Sequence, residues 1–142
     1  MAEIDQVCAQ VQTYMKAAFA GLRAAPATLT DSANLYPFSS CFPASGTITT
    51  TSYPNKIALH KIALTIHMPA KDTARNLEVL LPYVEAVPNL LFQKLWHDNY
   101  WNSTITTFES VDYAFVTVMY GGVSTHALQF TINGVKVRGV IP

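Results

Sequence analysis

The sequence predicts an α+β fold: a mostly antiparallel four-stranded sheet with two main helices packed on one face, plus an extended hairpin loop. Three observations carry that expectation. Apolar residues recur at helical spacing in two long segments. Alternating or β-branched stretches lie between and after them. The order of segments is helix, strand, strand, helix, strand, strand. The chain has 142 residues with no linker, repeat or low-complexity tract, so it reads as a single domain over residues 1–142.

The first helix lies in "AEIDQVCAQVQTYMKAAFAGLRAA". Ile4, Val7, Val11, Met15, Ala18, Phe19 and Leu22 form one stripe, Glu3 and Asp5 suit the positive end of the dipole, and Pro26 marks the stop. Residues 26 to 56 are rich in Pro, Ser, Thr and Asn. A short strand around residues 38 to 42 is bounded by Pro37 and Pro43, as an edge strand tolerates. "TITTTSYPNK" is extended and turns at Tyr53-Pro54-Asn55-Lys56.

The clearest strand is "IALHKIALTIHM". Ile62, Leu64, Ile66 and Met68 share one face, and Lys61, Ala63, Thr65 and His67 share the other. In "DTARNLEVLLPYVEAVPNLLFQKLW" the period becomes helical, with Pro82 and Pro88 predicting a kinked or split helix. Between strand and helix, Pro69 ends the one and Asp72 or Thr73 is the expected N-cap of the other. The segments "ITTFESVDYAFVTVMY" and "VSTHALQFTINGVKV" are β-rich, with Gly121-Gly122 placed for a tight hairpin.

Composition narrows function. Half the residues are hydrophobic and 13% are charged, well under the ~25% usual for soluble domains. No apolar run approaches the ~20 residues of a membrane span. Self-association is the remaining way to cover so much apolar surface. The formal net charge is zero, with nine acids and nine bases in no basic run, which excludes specific nucleic-acid binding. The opening "MAEIDQVCAQ" has neither the basic nor the apolar region of a secretory leader. In the cytosol, Cys8 and Cys41 are expected as buried free thiols, with a Cys8–Cys41 disulfide as the alternative.

No catalytic or metal centre is expected, and no cofactor. His60 and His67 are seven apart on one strand and point to opposite faces. His126 sits near a hairpin turn and His97 past a helix end. A His60–His126 pairing across adjacent strands is the one arrangement that would join two of them. No serine has a Gly-x-Ser-x-Gly setting, no glycine run makes a phosphate loop, and Glu78 and Glu85 share the polar side of a helix.

What remains are surface candidates. Asp72 is explained by capping, but Lys71 and Arg75 stand at one corner of the sheet, where either water or a neighbouring subunit meets them. Tyr53, Asn55 and Lys56 form an exposed turn. Trp96, Tyr100 and Trp101 surround a polar loop; Tyr100 and Trp101 are expected at an interface, while Trp96 suits core or interface equally.

In order and texture the chain resembles the tail terminator proteins of long-tailed bacteriophages, also called tail-completion or neck proteins. The resemblance covers most of the chain. It runs through the N-terminal helix, "NLYPFSSCFP", the strand "HKIALTIH", the helix "LLPYVEAVPNLL" and the hairpin "YGGVSTHALQFTINGVKV". Where the family often has L-x-G-G before its third strand, this chain has "DNYWNST".

The resemblance implies structural work in the virion, after assembly in the host cytoplasm. Subunits form rings, commonly hexameric, at the head-proximal end of the tail tube. The ring stops tube polymerisation, docks to the head connector and leaves a lumen for DNA. Implied partners are further copies of the chain, the tail tube protein and the head connector. Loops at residues 44 to 56 and 69 to 75 are expected to reach them. The alternatives are a head-completion adaptor of the neck and a cytosolic small-ligand binding domain.

Overall fold

The structure, a computed structural model, describes residues 4–26, 36–52, 55–71, 73–120 and 122–137. It is an α+β fold. Helix α1 (Ile4–Ala18) leads into a long hairpin of β1 (Phe38–Ser52) and β2 (Asn55–Pro69). Helices α2 (Thr73–Leu80) and α3 (Tyr83–His97) follow, then β3 (Ile105–Thr107), β4 (Ser110–Tyr120) and β5 (Val123–Val137). The sheet is antiparallel and curled, in the order β1-β2-β5, with β3 and β4 both pairing on the far side of β5. It has five strands rather than four, because the expected third strand is interrupted at Phe108 and Glu109. The Phe108 ring turns into the core, 5.1 Å from the rings of both Phe92 and Trp101.

The helices cover one face. Val7, Val11 and Met15 of α1 and Val87, Leu91 and Leu95 of α3 join Ile62, Leu64 and Ile66 of β2 and Leu128, Phe130 and Ile132 of β5 in a single cluster. The sheet residues in that cluster are two apart along each strand, and β2 and β5 align Ile62 with Ile132, Leu64 with Phe130 and Ile66 with Leu128. Alternation in the sequence thus becomes one apolar face.

Three boundaries differ from expectation. Helix α1 stops at Ala18, well before Pro26, because the chain turns back to pair with the sheet edge. Ala24 bridges Phe38, and Arg23 N–H donates to Pro37 O at 2.9 Å. Lys16 Nζ donates to the carbonyls of Leu22 and Arg23 at 3.3 and 3.2 Å, tying the turn to the helix end. Strand β1 runs through Pro43 instead of ending there, with a register shift between Pro43 and Ser45. A bulge on an edge strand accommodates a residue without an N–H. The second helix splits between Leu80 and Tyr83 at Pro82, while Pro88 is carried inside α3.

Gly134 makes the sheet's other branch feasible. Between the pairs Ile62–Ile132 and His60–Val135, β5 uses one residue more than β2. Gly134 occupies this bulge at φ +66, and a Cβ there would meet Glu109 Cγ at 2.5 Å. The bulge lets β5 pair with β4 up to Asn133 and with β3 from Lys136 onward. Gly134→Ala should therefore destabilise the fold by roughly 1–3 kcal/mol, read as a lower urea midpoint with unchanged slope.

Candidate functional site

The strand-to-helix corner is organised by one buried side chain. Asn76 Nδ2 reaches Pro69 O at 2.7 Å, Lys71 O at 2.9 Å and His126 Nδ1 at 2.8 Å. With two hydrogens for three acceptors, the amide shares its donors among these groups. Lys71 N–H donates to Pro69 O at 2.8 Å, completing a tight turn. Lys71 and Arg75 both project to solvent from this corner. Helix α2 begins at Thr73, so Thr73 is inside the helix. Asp72 lies outside the described residues.

The corner continues into an apolar stripe. His126 pairs with Thr117 across β5 and β4, and Thr117 alternates with Val111, Tyr113, Phe115 and Met119 on one face of β4. This is the face that helices cover over β2 and β5, because Phe130 pairs with Tyr113 and Leu128 with Phe115. The cover does not extend to β4: Tyr113 is 56% exposed, Phe115 39% and Met119 69%. Tyr113 and Phe115 meet edge to face, 6.3 Å apart. Leu77 of α2 and Leu81 just after it are exposed as well. The eleven-residue strand is an edge, with β5 as its partner on one side only among the described residues. Its sequence "SVDYAFVTVMY" carries one charge.

The outer part of the β1–β2 hairpin is also exposed. Residues 43 to 49 of β1 are all exposed, including Ile48 at 64%. Pairing of β2 with β5 ends at Leu59, so the hairpin projects beyond the three-strand part of the sheet. Asn55 and Lys56 begin β2, with Asn55 opposite Ser52. Tyr53 lies outside the described residues, as do the side-chain surroundings of Asn55 and Lys56.

Trp101 is not at a surface. It is fully buried in the core, its Nε1–H donates to Leu91 O at 2.9 Å, and its ring lies against Phe108. Trp96 is the exposed indole, at 73%, and Tyr100 is half-buried beside it with ring centroids 6.3 Å apart. Sequence texture could not separate the two tryptophans. What separates them is the backbone of Asn99–Ser103, where five consecutive residues have positive φ, from 47 to 64 degrees. This left-handed turn swings Trp101 inward. It is tied by Asn102 N–H to Asp98 O at 2.6 Å and Asn99 Nδ2 to Ser103 Oγ at 2.8 Å. Tyr14 of α1 hydrogen-bonds Asp98. Between α1 and this turn lies an open cleft of about 450 Å³, lined by uncharged polar groups including Gln10, Thr13, Asn102 and Ser103.

The histidines are apart. Register places His60 opposite Val135 and His126 opposite Met68, at opposite ends of the β2–β5 ladder, so they do not pair. His67 does face away from the helices, but that side is buried too, and its ring stacks on Phe38 at 4.4 Å. It joins a polar chain across the sheet: Ser40 Oγ to His67 Nε2 at 2.8 Å, His67 Nδ1 to Thr125 Oγ1 at 2.9 Å, Thr125 Oγ1 to Val118 O at 3.1 Å. The carbonyl end fixes the direction. Thr125 donates to Val118, so it accepts from Nδ1–H, and Nε2 accepts from Ser40. The imidazole is neutral, with burial lowering its pKa to about 4. Serine and histidine at this distance have the spacing of a nucleophile and its base. Ser40, His67 and Thr125 are nonetheless all buried, so this chain ties four strands together rather than presenting a nucleophile.

Sequence reasoning missed Ser40, Thr125 and Asn76, because each acts through a partner between 27 and 58 residues away. Among the described residues no group of three His, Cys, Asp or Glu side chains is placed to hold a metal, and no helix is long and apolar enough to cross a membrane. In comparison with known proteins, the chain matches no family model and no curated sequence.

Proposed function

We propose that this chain is a structural subunit that assembles with copies of itself, forming the ring that ends a phage tail tube and docks it to the head connector. The observation that carries the reading is the uncovered face of β4: an edge strand with Tyr113, Phe115 and Met119 exposed in a row, bordered by Lys71 and Arg75 at the corner. Exposed apolar patches rimmed by polar groups mark association surfaces, and a long apolar edge left open is a hazard in a monomer. The low charge content agrees with a surface mostly spent on contacts. A head-to-tail contact that closes on itself gives a ring, and the projecting hairpin extends toward a neighbour or the last ring of the tube. The tail-tube partner rests on the resemblance of sequence order to tail terminator proteins.

Light scattering tests the assembly. The wild-type chain should show a multiple of the 15.6 kDa subunit mass. Phe115→Glu should weaken association at least ~10-fold while leaving the circular dichroism unchanged, since the residue is part of a central apolar anchor. Charge reversal at Lys71 and Arg75 should weaken it less, as rim charges do. A strict monomer that binds neither isolated tail tubes nor head connectors would sink the proposal. Binding to connectors alone would favour the head-completion adaptor.

A further inference from the structure

Cys8 of α1 and Cys41 of β1 belong to different elements, yet both lie in the same core cluster. Both are free, and both are buried, at 3% and 5% exposure. Their neighbours fix the meeting. Gln12, one helical turn after Cys8, donates from Nε2 to Ser39 O at 2.9 Å and accepts from Ser39 Oγ at 2.7 Å. Ser39 lies two residues before Cys41, on the same face of β1. A two-point clamp thus holds α1 against β1 beside the sulfurs. Because α1 and β1 run antiparallel here, the ~6 Å rise from Gln12 back to Cys8 matches the ~6.6 Å advance from Ser39 to Cys41, which brings the two thiols level.

We propose that Cys8 and Cys41 are an oxidisable pair, which a small hydroperoxide converts to an intrachain disulfide fastening α1 to β1. Proximity makes the two thiols unequal. It lowers the pKa of Cys8, against burial and the charge of Asp5, and it raises that of Cys41. Cys8 is therefore the sulfur that reacts first, since the thiolate is the nucleophile. It attacks one peroxide oxygen, the O–O bond breaks, and Cys8 becomes a sulfenic acid while the departing hydroxide takes the thiol's proton as water. The Cys41 sulfur then attacks Cys8 sulfur, the S–O bond breaks, and the hydroxyl leaves with the Cys41 proton as a second water. Two thiols lose two electrons and one hydrogen peroxide becomes two waters.

The test treats the purified full-length chain with a slight excess of hydrogen peroxide, then alkylates it under denaturing conditions. The expected product is lighter by about 2 Da, takes up no alkylating agent, and yields a peptide linking Cys8 to Cys41 that dithiothreitol separates. Its melting temperature should rise by several degrees over the reduced form, as a cross-link between distant residues requires. Cys41→Ala should stop at a sulfenic acid on Cys8, trapped by dimedone, while Cys8→Ala should leave Cys41 unlabelled. If either variant fails to fold, the wild-type mass and linked peptide still decide. Thiols that both survive peroxide, a disulfide joining two chains, or dimedone labelling of Cys41 would overturn the proposal. An unchanged or lower melting temperature on oxidation would overturn the fastening of α1.

Discussion

Trp101→Ala should be among the most damaging single substitutions in this chain, costing about 3–5 kcal/mol of stability. The indole is fully buried, packs on Phe108, and donates its N–H to Leu91 O. Alanine removes that hydrogen bond and leaves a cavity where α3, the left-handed turn and β3 meet. The measurement is urea unfolding followed by circular dichroism. Trp101 also holds φ 53, a conformation that costs an L-residue roughly 1–2 kcal/mol. Trp101→Gly leaves the same cavity without that cost, so it should be more stable than Trp101→Ala by about 1 kcal/mol. At an ordinary helical site the order is reversed, because glycine is the weaker helix former. A glycine variant less stable than the alanine variant would contradict the left-handed turn.

Between pH 7 and pH 4, the native state should lose about 3 kcal/mol of stability through His67 alone. Burial lowers its folded pKa to about 4, against 6.5 for the free side chain. The sign follows from proton uptake. Below pH 6.5 the unfolded chain binds a proton at this position that the folded chain does not, so acid favours unfolding. The contribution is fully present above pH 6.5, falls as pH drops towards 4, and is flat below. A gap of ~2.5 pKa units at 1.36 kcal/mol each gives the size.

Burial sets the resistance to charging, and the polar chain agrees with it. Nε2 accepts from Ser40, so a proton there forces the Ser40 hydroxyl to turn away inside a buried site. His67→Gln keeps a polar side chain that does not titrate. Its stability at pH 7 should be lower than wild type, but its loss on acidification should be about 3 kcal/mol smaller. Parallel pH profiles for the two proteins would remove His67 as the source. Carboxylates elsewhere titrate equally in both proteins and cancel in the comparison.

Much of the frame was written in local pattern. The alternation of Ile62, Leu64, Ile66 and Met68 named the strand and its core face, and Leu128, Phe130 and Ile132 named its partner. The helical stripe of Val7, Val11 and Met15 named the buried side of α1, and Pro82 located the break between α2 and α3. These features rest on periodicity and on the chemistry of single residues, both of which act over a few positions. The candidate surface was only half visible. Lys71 and Arg75 stood out as a corner, but nothing in "SVDYAFVTVMY" says which of its faces a helix will cover.

Tertiary structure decided the rest because the deciding interactions join distant positions. Register placed Phe115 opposite Leu128, and the limited extent of the helices left Phe115 open while Leu128 is buried. A left-handed turn, not hydrophobicity, sent Trp101 inward and left Trp96 outside. The second face of β2 is buried as well, so His67, on the polar side by alternation, became the centre of a dry hydrogen-bonded chain. The sequence by itself determined which segments are helix and strand and which residues seek the core. Only the folded chain determined which polar groups meet, since Ser40 with His67, Asn76 with His126 and Cys8 with Cys41 are brought together by pairing and packing over separations that no local pattern spans.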